Sequence, residues 1–391
     1  MNVTAIQLSE EQAKPRTVRR WLVMDPLLMV AALGLVGCSL ITLKGAVGTH
    51  YAERQALYAG MGLLVALLIS RFDYSRLREY RYGFYALMVI SNIVVYGMPA
   101  QLGARRWIPL PILQVQPSEF GKILMILALA GFFVERSRSL YDRRTTARVM
   151  LLSLVGAMIV IGQPDLGTGL VYVVIAVAIL FFGGVSWKQL SALAALFVVA
   201  GVLVLAVAPA LGVNVLKTYQ KERLTTFINP PRVCGQNDTT CYQLNQSLIA
   251  IGSGQKTGRG VAGATQTKFQ FIPEAQEDFI FAVVGETYGF VGAALVLSLY
   301  ALLIWRTIRI LTMAKNLFGT VIAGGILGMI MFQVFVNVGM TLGVMPVTGV
   351  PLPLMSYGGS SVLVTFISLG LLQSIYAQGR AAEAGKSRIS V

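Results

Sequence analysis

Long apolar runs recur along this chain of 391 residues, and they constrain its fold more strongly than any other feature. We count ten runs, each long enough to cross about 30 Å of hydrocarbon as an α-helix. Backbone polar groups in hydrocarbon must be hydrogen-bonded internally, and a helix does this within one segment. The sequence therefore predicts a single all-α, polytopic membrane domain over residues 1–391. The runs lie at roughly 25–43, 55–70, 83–99, 118–134, 149–163, 168–185, 189–210, 279–305, 318–342 and 361–378.

Positive charge is distributed unequally between the two sides of the predicted membrane. The net charge is +15, and with the N-terminus inside, the short inner segments hold 20 Lys and Arg while the short outer ones hold 5. The positive-inside rule then places both termini in the cytoplasm, with an N-terminal segment at 1–24 and a tail at 379–391. The other 7 Lys and Arg lie in a long extracytoplasmic loop at 211–278, between helices 7 and 8. Charges placed in this way argue against nucleic acid as a partner.

Three carboxylates, Glu274, Glu277 and Asp278, lie within five residues at the start of the eighth run. The whole chain has only 17 Asp and Glu, so a cluster at one membrane boundary needs a physical reason. A carboxylate at the edge of hydrocarbon is costly unless it caps a helix, pairs with a cation or takes part in chemistry.

Further polar residues are predicted to gather at the outer ends of the helices. Helices that enter the membrane from outside direct the positive ends of their dipoles toward the outer side. Such N-termini, together with cationic side chains, suit a diphosphate that lies at the bilayer surface. Unusual residues stand at four of these starts, Gln116-Pro117-Ser118-Glu119 followed by Lys122, Gln163-Pro164-Asp165, Glu277-Asp278 and Gly358-Gly359-Ser360-Ser361, and in a linker with Arg105, Arg106 and Trp107.

Helix capping explains several of these residues without a binding site. Pro at the first helical position beside Ser or Asp is ordinary at helix starts, and Ser118, Asp165 and Ser360 fit that role as well as they fit a site. Asp278, taken alone, could equally cap the eighth helix. Lys122 favours a site, because a cap has no use for a cation one turn inside the membrane. Both a site and hydrogen bonding between helices explain the intramembrane polar residues Glu286, Gln333 and Asn337.

The histidine and cysteine content excludes some chemistry. His50 is the only histidine, which excludes histidine-based metal cages and Ser-His-Asp triads. Cys38 lies in the first run and is expected to be a packing residue. Cys234 and Cys241 share the outer loop, where the oxidising compartment favours a local disulfide between them. Two free thiols in a mobile loop are the alternative.

Residues 252–257 resemble a phosphate-binding loop, but the Walker pattern needs Gly where Gln255 stands. The segment also lies on the outer side, where no ATP is expected. We interpret its glycines as allowing a polar loop to fold against the membrane surface.

Five segments in order resemble the SEDS family of peptidoglycan polymerases, the RodA and FtsW proteins. The number of predicted spans agrees with that family. The resemblance implies an enzyme that polymerises lipid II into glycan strands on the outer face of the bacterial cytoplasmic membrane. Residues 219–230 resemble RodA more closely than FtsW, which implies a role in cell elongation. The similar segments are residues 103–108, 116–122, 163–168, 273–285 and 346–361.

The resemblance places the family's catalytic Asp at Asp278, where Gln276 and Glu277 replace the usual His and Thr. We expect Asp278 to be the general base that takes the proton from the acceptor hydroxyl. Cationic side chains would hold the departing diphosphate, and a divalent cation, Mg²⁺ or Mn²⁺, that bridges it to carboxylates is an equal alternative. The expected substrate-binding residues are Arg105, Arg106, Glu119, Lys122, Asp165, Lys268, Gln276, Ser356 and Ser360.

The resemblance also implies partners: lipid II, the growing glycan strand, membrane lipids and a class B penicillin-binding protein that supplies cross-linking. Two other classes of function fit the predicted topology. A lipid II flippase could use the same cations, but it needs a cavity accessible from both sides, whereas the polar residues here are confined to the outer half. A non-catalytic scaffold of a wall-synthesis complex would leave Asp278 dispensable.

Overall fold

A computed structural model describes residues 24–99, 105–109, 114–136, 143–203, 223, 227 and 239–386. These residues are almost entirely helical, in agreement with the all-α prediction. The helices before the outer loop are α1 (Pro26–Thr42), α2 (Thr49–Arg71), α3 (Arg81–Val94), α4 (Pro117–Glu135), α5 (Arg143–Gly162), α6 (Leu166–Phe182) and α7 (Trp187–Val202). From the outer loop onward they are α8 (Thr239–Gly254), α9 (Gly260–Gly263), α10 (Thr265–Lys268), α11 (Ile280–Thr312), α12 (Leu317–Thr341) and α13 (Gly359–Lys386).

Each of the ten predicted spans corresponds to one helix, α1 to α7 or α11 to α13. Among the described residues, seven helices are long and apolar enough to cross a membrane, and α6 and α7 are shorter apolar helices. The third predicted span is the weakest match, since α3 has 14 residues and continues only as a 3₁₀ turn at Val95–Gly97. The molecule is a multi-pass helical membrane protein.

The connection between α5 and α6 shows how a short polar segment separates two apolar helices. The Asp165 side chain accepts a hydrogen bond from the Thr168 backbone N–H at 3.2 Å, which caps α6 at its N-terminus. A capped N-terminus satisfies backbone donors that a continuous helix would bond internally. The fifth and sixth predicted spans are therefore separate helices.

The interior of the bundle is built mainly from α4, α12 and α13, most of whose residues are buried. Helix α13 packs along α2, α12 packs along α6, and α11 packs along α1, α8 and α12. Large apolar side chains such as Val30, Leu64 and Val291 remain exposed on the outer helices. Exposed apolar surface of this kind is what a membrane-embedded bundle presents to lipid tails.

Helix α11 is interrupted at Gly289, which has φ 62° and ψ −157°. This conformation is open essentially only to glycine. The N–H groups freed by the break donate to the outer loop, Phe290 N to the Gln255 carbonyl at 2.9 Å and Val291 N to the Lys256 carbonyl at 3.1 Å. A further hydrogen bond runs from the loop to the helix, since the Arg259 N–H donates to the Glu286 carbonyl at 2.9 Å. The outer loop therefore replaces the hydrogen bonds that α11 loses, and we call this contact the α11 joint.

Glycines make the α11 joint sterically feasible. A Cβ atom at Gly289 would lie 2.8 Å from the Lys256 carbonyl oxygen, and Gly258 itself has φ +83° against the Thr287 and Tyr288 backbone. The Glu286 carboxylate, which is fully buried, accepts from Gln266 N, Thr267 N and the Thr267 hydroxyl at 2.7 to 3.0 Å. Of the two interpretations left open for Glu286, these contacts support hydrogen bonding between helices. The carboxylate holds α10, and with it the outer loop, on α11. Of the two glycines that resembled a phosphate loop, Gly254 serves this close packing, since a Cβ atom there would lie 1.9 Å from the Gly285 carbonyl oxygen, whereas nothing lies within 4 Å of a Cβ atom at Gly252.

Toward the opposite end of α11, Arg306 forms a partly buried ion pair with Asp25, which precedes α1. The Gln373 amide on α13 donates to the Asp25 carbonyl at 3.1 Å and accepts from Asp25 N at 2.7 Å. This cluster connects the start of α1 to the distal parts of α11 and α13. Helix α11 continues to Thr312, seven residues beyond the predicted end at 305.

The cysteines are only partly described. Cys38 is free and partly buried in α1. Cys241, in the first turn of α8, is disulfide-bonded. Cys234, like most of residues 211–238 in the predicted loop at 211–278, lies outside the described residues, so its pairing with Cys241 stays a prediction.

Candidate functional site

A cavity of about 970 Å³ opens where the N-terminal ends of several helices meet. Its lining comes from α2, α4, α6, α8 and α13 and from the loops that precede α4, α11 and α13. All five segments that carry the sequence motifs therefore supply residues to one site, and the first of them, at 103–108, supplies Arg106 and Trp107. The charged lining residues are Arg54, Arg106, Glu119, Asp165, Arg223, Glu274, Glu277 and Asp278.

Asp278 lies in the wall of this cavity, two residues before α11. Its backbone N–H donates to the Glu274 carbonyl at 3.2 Å, which closes a turn over residues 274–278. The residue at the N-cap of α11 is Phe279, and no side chain within the described residues caps that helix. The capping interpretation of Asp278 is therefore not supported, and its carboxylate is left to face the cavity.

The loop before α13 approaches the Asp278 carboxylate closely. A Cβ atom at Gly349 would lie 3.3 Å from Asp278 Oδ2, and Gly349 has φ +73°. Glycine at this position allows the backbone to lie directly against the carboxylate. On the other side of the same turn, the Tyr357 N–H donates to the Gln276 carbonyl at 2.8 Å. The turn at 274–278 is thus held between two parts of the 344–358 loop.

Two carboxyl groups of this turn have raised pKa values. Burial raises the pKa of Asp278 from 3.8 to about 6, with Glu274 and Asp165 adding to the rise and the Arg223 and Arg106 guanidinium groups opposing it. Burial also raises the pKa of Glu277 from 4.5 to about 7, and the neighbouring Asp278 and Glu274 charges add to it. A carboxylate with a pKa of about 6 is ionised at neutral pH, yet it is a better proton acceptor than an ordinary aspartate.

Asp165 combines two roles that the sequence left as alternatives. Its Oδ1 atom caps α6, while Oδ2 accepts from the Gln116 amide at 3.1 Å and from the Ser118 hydroxyl at 3.3 Å. Ser360 connects the same network to α13, because its hydroxyl accepts from Gln116 N and donates to the Gln114 carbonyl, both at 2.9 Å. Capping and cavity lining therefore coexist at Asp165.

A buried ion pair on α4 lies beside the cavity. Glu119 Oε2 lies 2.6 Å from Lys122 Nζ, and their side chains are 3% and 2% exposed. Glu119 lines the cavity, whereas Lys122 is not among the described residues that line it. The carboxylate therefore stands between the Lys122 ammonium and the cavity.

The two arginines of the linker before α4 are placed differently. Arg106 lines the cavity and donates to the carbonyls of Gln163, at 3.1 Å, and Pro164. These contacts fix its guanidinium beside the start of α6. Arg105 is exposed and donates to the Tyr96 carbonyl at 2.8 Å, and the described lining does not include it.

Three other predicted substrate-binding residues lie outside the lining that the described residues define. Lys268 is exposed at the end of α10. The Gln276 amide donates to Glu274 Oε2 at 3.2 Å, and the Ser356 hydroxyl, which is buried, accepts from Leu352 N at 2.8 Å. Gln276 and Ser356 shape the loops around the cavity rather than its surface.

The structure adds site residues that sequence reasoning missed. Arg54 and Tyr58 reach the cavity from α2, and Tyr357 packs edge-on against Tyr51 of that helix with ring centroids 5.0 Å apart. Arg223 lies in the segment that resembles RodA, a signal that could have identified it. The Thr348 hydroxyl lines the cavity, is buried and has no hydrogen-bond partner among the described residues.

The described residues contain no group of three or more His, Cys, Asp or Glu that could hold a metal ion. The carboxylates of the cavity are instead distributed among arginines and hydrogen-bond donors. Positive helix ends, fixed guanidinium groups and two carboxyl groups of raised pKa make up a site that can hold an anionic substrate and remove a proton from it.

Comparison with known proteins gives consistent matches. The sequence profile of the FTSW_RODA_SPOVE family, described as cell cycle protein, matches residues 18–381. The chain is 35% identical to the peptidoglycan glycosyltransferase MrdB of Escherichia coli K12, over 90% of this chain and 93% of that protein. It is 32% identical to the peptidoglycan glycosyltransferase RodA of Treponema pallidum, over 90% of this chain and 98% of that protein.

Solved structures agree with these matches. A chain from work described as "Structural coordination of polymerization and crosslinking by a peptidoglycan synthase complex" superposes with a TM-score of 0.76, at 32% identity, over 92% of this chain and 99% of that one. The Rod shape determining protein RodA of Thermus thermophilus superposes with a TM-score of 0.65, at 29% identity, over 91% of this chain and 97% of that one.

Proposed function

This chain belongs to the family of FtsW, RodA and SpoVE cell cycle proteins, and we infer from that membership and from its cavity that it is a peptidoglycan glycosyltransferase of cell-wall synthesis. The observation that carries the catalytic assignment is Asp278, a carboxylate of raised pKa in a cavity that also contains Arg106 and Arg223. Its function is closer to that of RodA, in cell elongation, than to that of FtsW.

The substrate is lipid II, a disaccharide peptide linked to undecaprenyl diphosphate. Asp278 takes the proton from the acceptor sugar hydroxyl as that oxygen bonds to the anomeric carbon of the donor sugar. The bond from the same carbon to the diphosphate oxygen breaks, and the diphosphate leaves with the electron pair. General-base catalysis of this kind contributes about 10²–10⁴-fold to the rate.

Charge that develops on the leaving diphosphate is stabilised by fixed cations. Arg106 is held by two carbonyls beside the start of α6, and Arg223 lies near the carboxylate it influences. Pre-positioned guanidinium groups and helix N-termini stabilise such charge without reorganising during the reaction. We assign Arg105, Lys122 and Lys268 no direct contact with the diphosphate, because the described lining does not include them.

A divalent cation fits only as part of the substrate complex. The described residues form no three-ligand group, whereas Mg²⁺ commonly binds one or two carboxylates together with substrate phosphates. Mg²⁺ or Mn²⁺ should bind measurably only when lipid II is present, which calorimetric titration of the protein with and without lipid II would test.

The site faces outward from the bacterial cytoplasmic membrane, where the long loop that contributes α8 and Arg223 to the cavity is predicted to lie. A structural relative comes from a complex that coordinates polymerisation with cross-linking. We therefore propose a class B penicillin-binding protein as the partner of this chain, with the growing glycan strand as the product.

Asp278→Asn tests the function, because it keeps the size of the side chain and removes its basicity. We expect a folded protein that binds lipid II and yields no glycan strands in a polymerisation assay with purified components. Glu277→Gln is the matched control, since it removes the neighbouring carboxylate and should retain most of the activity. Polymerisation by Asp278→Asn at nearly the parent rate would favour a flippase or a scaffold instead.

A further inference from the structure

Asn337 is a buried polar residue of α12 that the chemistry described above does not use. It is fully buried, one turn before the end of the helix at Thr341. Its side-chain nitrogen donates to the Asp278 carbonyl at 2.9 Å and to the Val350 carbonyl at 2.8 Å. One amide group thus contacts the backbone of the catalytic turn and the backbone of the loop beside it.

The two carbonyls determine how this amide is oriented. Both neighbours are acceptors, so the NH₂ group of Asn337, with its two donors, must face them. Its Oδ1 atom is then left buried without a hydrogen-bond partner among the described residues. An unsatisfied buried acceptor costs about 1–3 kcal/mol. A residue selected for packing alone would avoid that cost.

Both contacts are close in sequence to the groups that surround the Asp278 carboxylate, since one is to the Asp278 carbonyl and the other to the Val350 carbonyl. Val350 directly follows Gly349, whose Cα lies so close that a Cβ atom would be 3.3 Å from Asp278 Oδ2. By bonding both carbonyls, Asn337 fixes the spacing between the catalytic turn and the glycine that packs on its carboxylate. The position of the base relative to the substrate depends on that spacing.

We propose that Asn337 is a positioning residue for Asp278, which acts by holding the Asp278 and Val350 carbonyls together. The proposal rests on the assignment of Asp278 as the general base. It predicts a defect in turnover rather than in substrate binding, because Asn337 does not line the cavity that the described residues form. Misplacement of a catalytic group by about 1 Å costs on the order of 10²-fold in rate.

The pH dependence of turnover gives a second readout. The charged groups that face Asp278 are Arg223, Glu274, Arg106 and Asp165, with Glu277 next to it in the chain. Burial is the largest cause of its raised pKa. If the turn loosens, water reaches the carboxylate, its pKa falls toward 3.8, and the acid limb of kcat moves to lower pH.

Asn337→Leu tests the proposal, because leucine has a similar volume and no donor. We expect kcat for glycan polymerisation to fall about 10²-fold with KM for lipid II within about twofold, and the acid limb to move to lower pH. Gln333→Leu is the matched control. Gln333 is also buried, one turn earlier on α12, and makes no hydrogen bond to Asp278 or Val350 in the part of the chain that the structure describes.

Asn337→Asp provides the second variant if leucine prevents folding. Its carboxyl group keeps the shape of the amide and, when protonated, can donate to one carbonyl instead of two. We expect a kcat between those of Asn337→Leu and the parent. A folded Asn337→Leu protein with the parent kcat, or with a lower kcat and an unmoved acid limb, would overturn the positioning role. The general-base assignment is tested separately, since Asp278→Asn must be inactive whichever result Asn337 gives.

Discussion

Lys122 Nζ lies 2.6 Å from Glu119 Oε2, one turn apart on α4, and neither side chain has appreciable contact with solvent. Two buried charges in contact gain little over an apolar pair, because both lose their hydration. Each charge, however, offsets part of the free-energy cost of burying the other. Glu119 lies at the cavity surface, so the pair fixes a carboxylate at a defined place in the site.

Removal of the Lys122 cation alone should therefore destabilise the folded protein. Lys122→Met leaves the Glu119 carboxylate buried without a partner, and we expect the free energy of unfolding to fall by about 3–5 kcal/mol. Thermal unfolding in detergent would measure this loss. Substitution of both residues, Glu119→Gln with Lys122→Met, should restore most of the stability and leave turnover impaired. A single variant as stable as the parent would show that the pair is not coupled.

The raised pKa of Asp278 predicts the pH dependence of polymerisation. The base must be ionised to accept a proton, so turnover should rise with pH through about 6 and level off above it. Glu274→Gln removes a negative neighbour that raises this pKa, so the acid limb should move to lower pH. Arg223→Gln removes a positive neighbour that lowers it, so the limb should move to higher pH. Polymerisation rates with purified lipid II would be measured across pH 4.5–8, which is roughly the range that brackets this pKa. Acid limbs that move in the same direction in the two variants would contradict the assignment of Asp278 as the general base.

The sequence predicted the spans and the residues at their outer ends because both depend on local signals. Apolar length decides where a helix can cross a membrane, and residues such as Asp165 stand next to the helix they cap. Whether Asp278 is a cap or faces a cavity could not be decided in this way. That answer depends on where α11 begins, and the helix begins after Phe279.

Residues that join the site from distant parts of the chain had no local signal. Arg54 stands among ordinary polar residues on α2, and the contact that brings it to the cavity is with the loop at Tyr357, some 300 residues later. Asn337 contacts Asp278 across 59 residues of sequence. Single-sequence patterns indicate that such polar residues are buried, but not which partner they meet.

The α11 joint predicts an unusually sensitive glycine. Gly289→Ala places a Cβ atom at φ 62° and against the Lys256 carbonyl, so we expect the protein to lose about 1–3 kcal/mol of stability. Gly252→Ala is the matched control, since Gly252 is exposed on α8 and nothing lies within 4 Å of its would-be Cβ. That substitution should be neutral or slightly stabilising. Equal melting temperatures for the two variants would contradict the joint.

The disulfide predicted in the outer loop has a direct chemical test. Cys241 is bonded and Cys38 is free, which leaves Cys234 as its expected partner within one chain. Mass spectrometry of unreduced protein should recover the peptides of Cys234 and Cys241 linked, and Cys38 alkylated. A disulfide across so short a ring should stabilise the loop by about 2 kcal/mol. Recovery of both loop cysteines alkylated without reduction would refute the pairing.

The outward orientation of the site can be tested with two exposed lysines on opposite predicted faces. Lys268 ends α10 in the loop that packs on α11, and Lys188 lies in the first turn of α7. With Cys38 replaced by serine, Lys268→Cys should react with a membrane-impermeant maleimide in intact cells, whereas Lys188→Cys should react only after permeabilisation.

The two side chains are alike in type and both exposed, so differences in labelling report the side of the membrane rather than burial. The charge asymmetry that fixes this orientation comes from short loops near the spans, where it is most informative. Labelling of Lys188→Cys in intact cells, with Lys268→Cys protected, would invert the topology and place the cavity and Asp278 on the cytoplasmic side.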